Sequence, residues 1–417
     1  MIWRETTLGE VCDEVDGIIQ TGPFGSQLHE SDYSSEGIPV VMPKDIVEGR
    51  ISTDSVARVS PQHVERLSRH KLRSGDIVYG RRGDIGRQAL IRPEQDGWMC
   101  GTGCLRLSFG ESLINPLFLH YYLRHDDVVS WISNQAVGAT MPNLNTGILR
   151  TVPVRFPPLP VQRRIAGILS AYDELMENSQ RRIRLLEAMA RSLYREWFVH
   201  FRFPGHEKHP RVASPFGDIP QGWEVCALGD FVQFKSGFAF KSGTFTADGE
   251  HRLVTIKNVQ DGAFNPESDN RMTELPQNLP PYCVLKDGDI LLSLTGNVGR
   301  VCLVYDGPFL LNQRVSKLAP VEAFDWAMTY CMFRESEMRV KLEQLSNGVA
   351  QQNLSPILAS KMNFACPPRE LRQRFATVTE PMVHRIVQLY STIQNLRRTR
   401  DLLLPRLLSG QVNLAEN

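Results

Sequence analysis

The chain is poor in almost every feature that would announce a reaction. No apolar run approaches the eighteen or so residues that cross a bilayer, and Met1-Ile2-Trp3-Arg4-Glu5 is not a signal peptide. A cytoplasmic protein without membrane contact is therefore expected. Eight cysteines form no CxxC pair, Cys100 and Cys104 being the nearest, so reduced thiols are expected rather than a zinc site or disulfides. There is no GxSxG, HExxH or GxxxxGK[ST] segment. The Asp/Asn-Pro-Pro-aromatic tetrapeptide of amino-methyltransferases is missing too, as is a glycine-rich AdoMet loop before it. Histidine does not fill the gap. His206 and His209 lie in a proline-rich stretch, and His120 and His125 are five apart, out of line on a helix. They read as solvated histidines, and no metal site is expected. Charge of one sign is also lacking: 47 Lys and Arg against 46 Asp and Glu leave +1, so a nucleic-acid surface must come from local segregation.

What the chain has instead is a duplication. Phe156-Pro157-Pro158-Leu159-Pro160-Val161-Gln162-Arg163-Arg164 opens a helix-patterned run that reaches Trp197-Phe198. Cys366-Pro367-Pro368-Arg369-Glu370-Leu371-Arg372-Gln373-Arg374 opens another, ending in Leu404-Pro405-Arg406-Leu407-Leu408-Ser409-Gly410. The residue before each proline is driven out of helical geometry, which fixes where the helices begin. In the first run Val161, Ile165, Ile168, Tyr172, Leu175, Ser179, Ile183, Leu186, Ala190, Leu193 and Trp197 step by threes and fours. This predicts a coiled-coil seam with one stutter, at Leu175–Ile183. In the second, Leu371, Phe375, Val378, Met382, Ile386, Leu389, Ile393 and Leu396 predict a seam with a comparable stutter at Met382–Ile386, extended by Leu403 and Leu407. Pro381 is expected to kink that helix or start it afresh. A helix of about 37 residues is roughly 55 Å long, too long for a compact domain. The obvious partner for its apolar stripe is the other copy.

At 417 residues two to three domains are expected. Residues 1–156 carry short β-type runs: Ile38–Met42, Asp76–Tyr79, Gln88–Ile91 and Cys104–Leu107. Residues 116–123 and 128–132 read as helical. Residues 157–202 form the first long helix, and 203–221, with Pro204, Pro210, Pro215 and Pro220, read as a loop-like linker. Residues 222–366 repeat the first domain, 367–410 form the second helix and 411–417 a tail. Leu72-Arg73-Ser74-Gly75-Asp76-Ile77 matches Leu285-Lys286-Asp287-Gly288-Asp289-Ile290. Gly83-Asp84-Ile85-Gly86-Arg87 matches Gly296-Asn297-Val298-Gly299-Arg300, and the span from Gly138 to Asn143-Leu144 matches that from Gly348 to Asn353-Leu354. Elsewhere the copies are nearly unrelated, as two readers of different targets would be.

The Gly-x-x-Gly-Arg turn sits between strand-like runs, where glycine permits positive φ and leaves the backbone bare. Arg81, Arg82 and Arg87 surround the first copy; Thr295, Asn297 and Arg300 surround the second. Arginine can fork onto guanine or phosphate, and asparagine can pair with adenine. Chemistry alone does not separate that reading from a plain hairpin with solvated ends. The loops Gly22-Pro23-Phe24-Gly25-Ser26 and Gly237-Phe238-Ala239-Phe240-Lys241-Ser242 could hold phosphate through N–H and hydroxyl groups. Equally, their Phe residues could simply fold the loops over the core.

In the order domain–helix–domain–helix, these residues resemble the DNA-specificity subunit of type I restriction–modification systems, over essentially the whole chain. The most specific segments are Pro157–Gln162, the run Leu193-Tyr194-Arg195-Glu196-Trp197-Phe198-Val199 leading to Phe203-Pro204-Gly205, Ile219-Pro220-Gln221-Gly222-Trp223, the two Gly-Asp-Ile segments and Leu404–Gly410. Family members often carry Glu where Val161 stands, and Arg369-Glu370-Leu371-Arg372 departs further, which bears on the helix-cap contacts. The resemblance implies an α+β architecture: two tandem α/β target-recognition domains joined by two long antiparallel coiled-coil helices with pseudo-two-fold symmetry. Each domain would read one half of a bipartite asymmetric site on double-stranded DNA. The helices would set the half-site spacing and dock two methyltransferase (modification) subunits, with motor-endonuclease subunits joining for cleavage.

On this reading the chain itself is not an enzyme and holds no cofactor; AdoMet, Mg and ATP are expected on the partner subunits. The expected DNA-contacting residues are Ser26, Lys44, Arg81, Arg82 and Arg87 in the first domain. In the second they are Lys241, Ser242, Lys257, Thr295, Asn297, Arg300, Gln313 and Arg314. The expected partner-contacting residues are Gln162, Arg163, Arg181, Arg184, Arg372, Gln373, Arg397 and Arg398. The alternatives are a non-DNA coiled-coil adaptor, or the specificity half of a split methyltransferase or nuclease, which would need a catalytic domain.

Overall fold

The structure is a computed structural model that describes residues 3–82, 85–135, 143–347, 352–412 and Leu414. Gly83, Asp84, Gly138 and Gly348 lie outside the described residues, as does the side chain of Ser242. The chain folds as two compact units: residues 1–174 with 397–417, and residues 175–396. Each unit combines one α+β domain with stretches of both long helices.

The two domains repeat one sheet. In the first, β1 (Ile18–Thr21), β2 (Ile77–Gly80), β3 (Gln88–Leu90) and β4 (Cys104–Ser108) are ordered β1-β4-β2-β3, all antiparallel. In the second, β5 (Val232–Ser236), β6 (Ile290–Ser293), β7 (Val301–Leu303) and β8 (Val315–Pro320) are ordered β5-β8-β6-β7, again all antiparallel. A second sheet containing one parallel pair lies beside each: Val40 beside Met99 in the first domain, Leu253 beside Leu310 in the second. The first strand of each domain pairs antiparallel with the strand preceding the long helix. Arg4–Thr7 joins Pro153–Phe156, and Glu224–Ala227 joins Asn363–Cys366. The short helices predicted near 116–123 and 128–132 are present as Pro116–Tyr122 and Asp126–Gln135.

The long helices α1 (Leu159–Tyr194) and α2 (Arg369–Leu408) are each unbroken. They pack antiparallel within both units. In the first unit Ile165, Ala166 and Leu169 share a core with Leu407 and Leu408. In the second, Phe375 near the start of α2 meets Tyr194, Trp197 and Phe198, with ring centroids 4.8 to 6.4 Å apart. The predicted stutters are absent. Gln162, Ile165, Leu169, Tyr172, Met176, Ser179, Ile183, Leu186, Ala190, Leu193 and Trp197 form one uninterrupted heptad seam, buried or half-buried throughout. Arg372, Phe375, Thr379, Met382, Ile386, Leu389, Ile393, Leu396, Arg400, Leu403 and Leu407 do the same in α2. Leu175 and Val378, which the apolar pattern selects, are 53% and 43% exposed. Polar residues occupy the seam instead because their groups are satisfied locally. The Ser179 hydroxyl donates to the Leu175 carbonyl at 2.8 Å and that of Thr379 to the Phe375 carbonyl at 2.8 Å.

Pro381 does not restart the helix. It forfeits one backbone hydrogen bond, but buried Phe375, Thr379, Val383 and Ile386 hold the helix on both sides of it. The linker is more ordered than a loop: Arg211–Ser214 and Gly217–Pro220 form a hairpin after a 3-10 turn at His206–Lys208. Gly217, at φ +84°, supplies the left-handed turn residue, and buried Phe203 and Ile219 tether the segment.

His120 is not solvated; only 4% of it is exposed. Its Nδ1 lies 3.0 Å from Gln88 Oε1, while Gln88 Nε2 donates to the His120 carbonyl at 2.8 Å. Burial, helped by Arg124 and opposed by Asp173, holds its pKa down to about 3. The unfolded chain binds this proton below about pH 6.5 and the folded chain does not, so the stability it contributes is complete above that pH. It falls by about 1.4 kcal/mol per pH unit as the solution is acidified toward 3. His120→Gln should flatten the loss of melting temperature between about pH 7 and pH 4.5 relative to the unaltered chain; an equal loss in both would show that His120 does not drive it.

Candidate nucleic-acid interface

Strand polarity gathers the candidate residues. In the first domain β1 ends at Thr21, β2 ends at Gly80 and β4 begins at Cys104, so three loops leave one end of one sheet. Backbone bonds tie them together, Gly22 N–H to the Cys104 carbonyl (2.9 Å) and Arg81 N–H to that of Gly103 (2.8 Å), and Gly101 N–H to that of Val41 (2.9 Å) joins them to the second-sheet strand Ile38–Val41 that leads to Lys44. The Gly101 carbonyl occupies the space a Cβ on Gly22 would need, so the first loop can approach only as glycine. Ser26, Lys44, Arg82 and Arg87 are exposed there. Arg81 is half-buried, its Nε donating to Asn143 Oδ1 at 3.1 Å.

The second domain builds the same end from different residues. β5 ends at Ser236, β6 at Ser293, and β8 starts at Val315. Gly237 N–H donates to the Val315 carbonyl (3.1 Å), Leu294 N–H to that of Arg314 (3.1 Å) and Gln313 N–H to that of Phe238 (3.0 Å). The strand His251–Val254 runs parallel to Phe309–Leu311, which brings the loop bearing Lys257 to this end as well. Lys241, Lys257, Asn297, Gln313 and Arg314 are exposed, Thr295 and Arg300 half-buried. The turn is braced from inside: Ser293 Oγ accepts from Arg300 N–H at 3.0 Å and donates to the Asn297 carbonyl, and Arg300 Nη1 donates to Gln260 Oε1 at 2.8 Å. Gly296 and Gly299 have φ of +76° and +81°, so the turn that carries Asn297 depends on two positions that L-residues with side chains rarely adopt.

Among the described residues, the candidates at each sheet end include four cations, Lys44, Arg81, Arg82 and Arg87 or Lys241, Lys257, Arg300 and Arg314, although the chain as a whole is nearly neutral. The Phe residues of the two loops part company. Phe240 is 8% exposed and folds over the core; Phe24 is 54% exposed. Sequence reasoning gave no role to Asn143 and Asn353, which sit against the turns in both domains. The signal available was the Asn-Leu pair closing the last matched segment of the duplication.

Two of the expected partner contacts face inward. Gln162 is fully buried, accepting from Asn115 N–H (2.8 Å) and donating to the carbonyls of Leu113 (3.1 Å) and Pro157 (2.8 Å). Arg372 donates to the Pro367 carbonyl at 3.2 Å and pairs with buried Asp325. Both are latches between helix start and domain, neutral in one copy and ionic in the other, and neither is available to a partner. Arg163, Arg181, Arg184, Gln373 and Arg398 are exposed, and half-buried Arg397 pairs with Glu48 at 3.4 Å. Among the described residues no cluster of His, Cys, Asp and Glu could hold a metal ion, and no helix is long and apolar enough to cross a membrane.

The family model for the type I restriction modification DNA specificity domain matches residues 2–188 and 220–376. The MjaIX specificity subunit of Methanocaldococcus jannaschii is 23% identical, over 99% of this chain and 97% of its own. The HindI specificity subunit of Haemophilus influenzae is 20% identical, over 98% and 99%. The crystal structure of the type I restriction–modification S subunit from M. genitalium superposes with a TM-score of 0.61, at 17% identity and covering 98% and 96% of the two chains.

Proposed function

The chain belongs to the family of type I restriction–modification DNA-specificity subunits, whose members are the non-catalytic, sequence-reading components, and on that premise we propose that each sheet end reads one half of a bipartite DNA site. The observation that carries this is the convergence, in each domain, of loops from several strand ends onto one surface bearing cations and turn-borne polar groups. Exposed Arg82, Arg87 and Arg314 suit phosphate or guanine, and Asn297 suits adenine. Apart from Arg87 and Arg300, which correspond, the candidate residues differ between the two matching scaffolds, as different half-sites require.

The test is Arg87→Ala and Arg300→Ala in the full chain bound to its modification partner. A base contact should cost about 1–3 kcal/mol and relax one position of the motif. A phosphate contact should weaken all sequences alike and lower the salt slope by about one. Unchanged affinity in both variants would remove the turns from the DNA face.

The reading extends to partners. Two methyltransferase subunits would dock on the exposed helix residues of each unit: Arg163 in the first, and Arg181, Arg184 and Gln373 in the second, where Leu185 and Met189 of α1 are more than half exposed. Those subunits would bring AdoMet, and motor-endonuclease subunits would bring the ATP- and Mg-dependent step; the helices would set the half-site spacing. A two-to-one complex on co-purification is the measure of the docking.

A further inference from the structure

The candidate reading ends of the two domains, whose loops differ in most side chains, share one side-chain device. In the first domain Asn143 Oδ1 accepts from Arg81 Nε at 3.1 Å, and the Leu144 N–H donates to the Arg81 carbonyl at 2.9 Å. In the second, Asn353 Oδ1 accepts from Thr295 Oγ1 at 3.0 Å, and the Leu354 N–H donates to the Leu294 carbonyl at 2.8 Å. Each asparagine also bridges to the turn as an isolated β-pair, Arg82 with Asn143 and Thr295 with Asn353. The leucine that follows is an anchor, 0% and 1% exposed. The donor differs between copies, a guanidinium in one and a hydroxyl in the other, yet the acceptor oxygen is used in the same way.

That use decides what the amide can still do. One lone pair of Oδ1 is committed to Arg81 or Thr295, and that bond fixes the amide plane on the turn instead of leaving it free to align both of its groups with an adenine edge. Nδ2 remains, a donor only, held at the reading end beside the turn; Asn353 is exposed there and Asn143 half-buried. A lone donor distinguishes bases poorly. Two domains with different targets share only one ligand feature, the phosphodiester backbone, and contacts to it fix register and orientation rather than sequence.

We propose that Asn143 and Asn353 each donate Nδ2–H to a DNA phosphate oxygen, one in each half-site, and so set the neighbouring turn at reading depth. The assignment rests on the sheet ends being the DNA face. Asn143→Asp and Asn353→Asp separate the two jobs of the side chain. Aspartate keeps an acceptor for Arg81 or Thr295, so the turn stays latched, but it cannot donate and sets a negative charge against the phosphate.

The experiment measures binding of the full chain, with its methyltransferase subunits, to duplexes carrying the motif and to scrambled duplexes. Each Asp variant should lose affinity for both by the same factor, on the order of ten to a hundred, with the methylated motif unchanged. A methylphosphonate placed at each linkage in turn should weaken the unaltered protein at one linkage per half-site, and the matching Asn→Ala variant should be indifferent to that one. Binding of both Asp variants as tight as the unaltered protein would overturn the proposal, as would relaxation of a single base position. Arg87→Ala and Arg300→Ala serve as the reference. If they weaken binding while the Asp variants do not, only the asparagine assignment falls; if all four are neutral, the DNA face itself is misassigned.

Discussion

Replacing residues 222–366 by the equivalent span of a relative should change one half of the methylated motif and leave the other half as it was. The expectation follows from how each domain is built. The loops proposed to read DNA leave its own sheet, and their mutual backbone bonds stay within that domain. Even two altered base pairs shift preference by about 2–6 kcal/mol, so the exchange should abolish recognition of the old half-site rather than blur it. One condition attaches. The second domain is tied to α1 by charged contacts: Arg334 Nε to Glu187 Oε1 at 2.8 Å, and Glu335 accepting from Arg191 at 3.2 Å and Arg195 at 2.7 Å. A donor span without Arg and Glu at these two places would strand acids and arginines of α1, so such a chimera should fail to fold until they are restored. Sequencing the methylated sites of cells carrying each chimera reads the outcome. A change in both halves would end the independent-reader model.

The scaffold was legible because it is written locally. Gly75-Asp76-Ile77 and Gly288-Asp289-Ile290 punctuate equivalent strands, and the Pro-Pro pairs mark both helix starts. Over part of its length the seam lies one position beyond the apolar pattern, because apolarity and burial part company there. Leu175 and Val378 are apolar and exposed, while Met176 and hydroxyl-bearing Thr379 are buried one step later. A serine or threonine that bonds its own helix backbone has no polar group left to hydrate, and composition alone does not reveal that. The candidate DNA residues were found from loop chemistry, but their meeting at one sheet end depends on strand order, which spacing does not encode. Gln162 and Arg372 looked like surface residues of a helix start; burial against the domain was invisible until Asn115 and Asp325, some 47 residues upstream, came into contact with them.

Arg334→Ala should cost the second unit about 3–5 kcal/mol. The side chain is 9% exposed and Glu187 is 16% exposed. Arg334 pairs also with Asp261, and Tyr330 donates its hydroxyl to Glu187 Oε1 at 3.3 Å. The guanidinium lies on the bare backbone of Gly262, at φ +78°, where a Cβ would collide with it. Tyr390 of α2 donates to the Gly262 carbonyl at 3.2 Å, so one arginine gathers both helices and the domain. Truncating it leaves the Glu187 carboxylate shielded from water with only a tyrosine hydroxyl. Removing the acid as well, in Glu187→Gln with Arg334→Met, should recover more than half the loss, since a shielded pair replaced as a whole costs little. The first unit supplies the internal control. Arg124 lies on Gly49 in the same manner, yet no carboxylate forms an ion pair with it among the described residues. There α2 brings Arg400, which takes Asp173 at 2.5 Å, while Tyr121 donates to that carboxylate at 2.7 Å. Arg124→Ala breaks no direct ion pair: it loses the packing of its stem and a through-space attraction to Asp173, which keeps Arg400 and Tyr121, so about 1 kcal/mol or less is expected. Urea midpoints of the full-length variants separate the two cases. Equal losses for Arg124→Ala and Arg334→Ala would mean that packing over the glycine, and not the pairing with Glu187, holds the second domain to its helices.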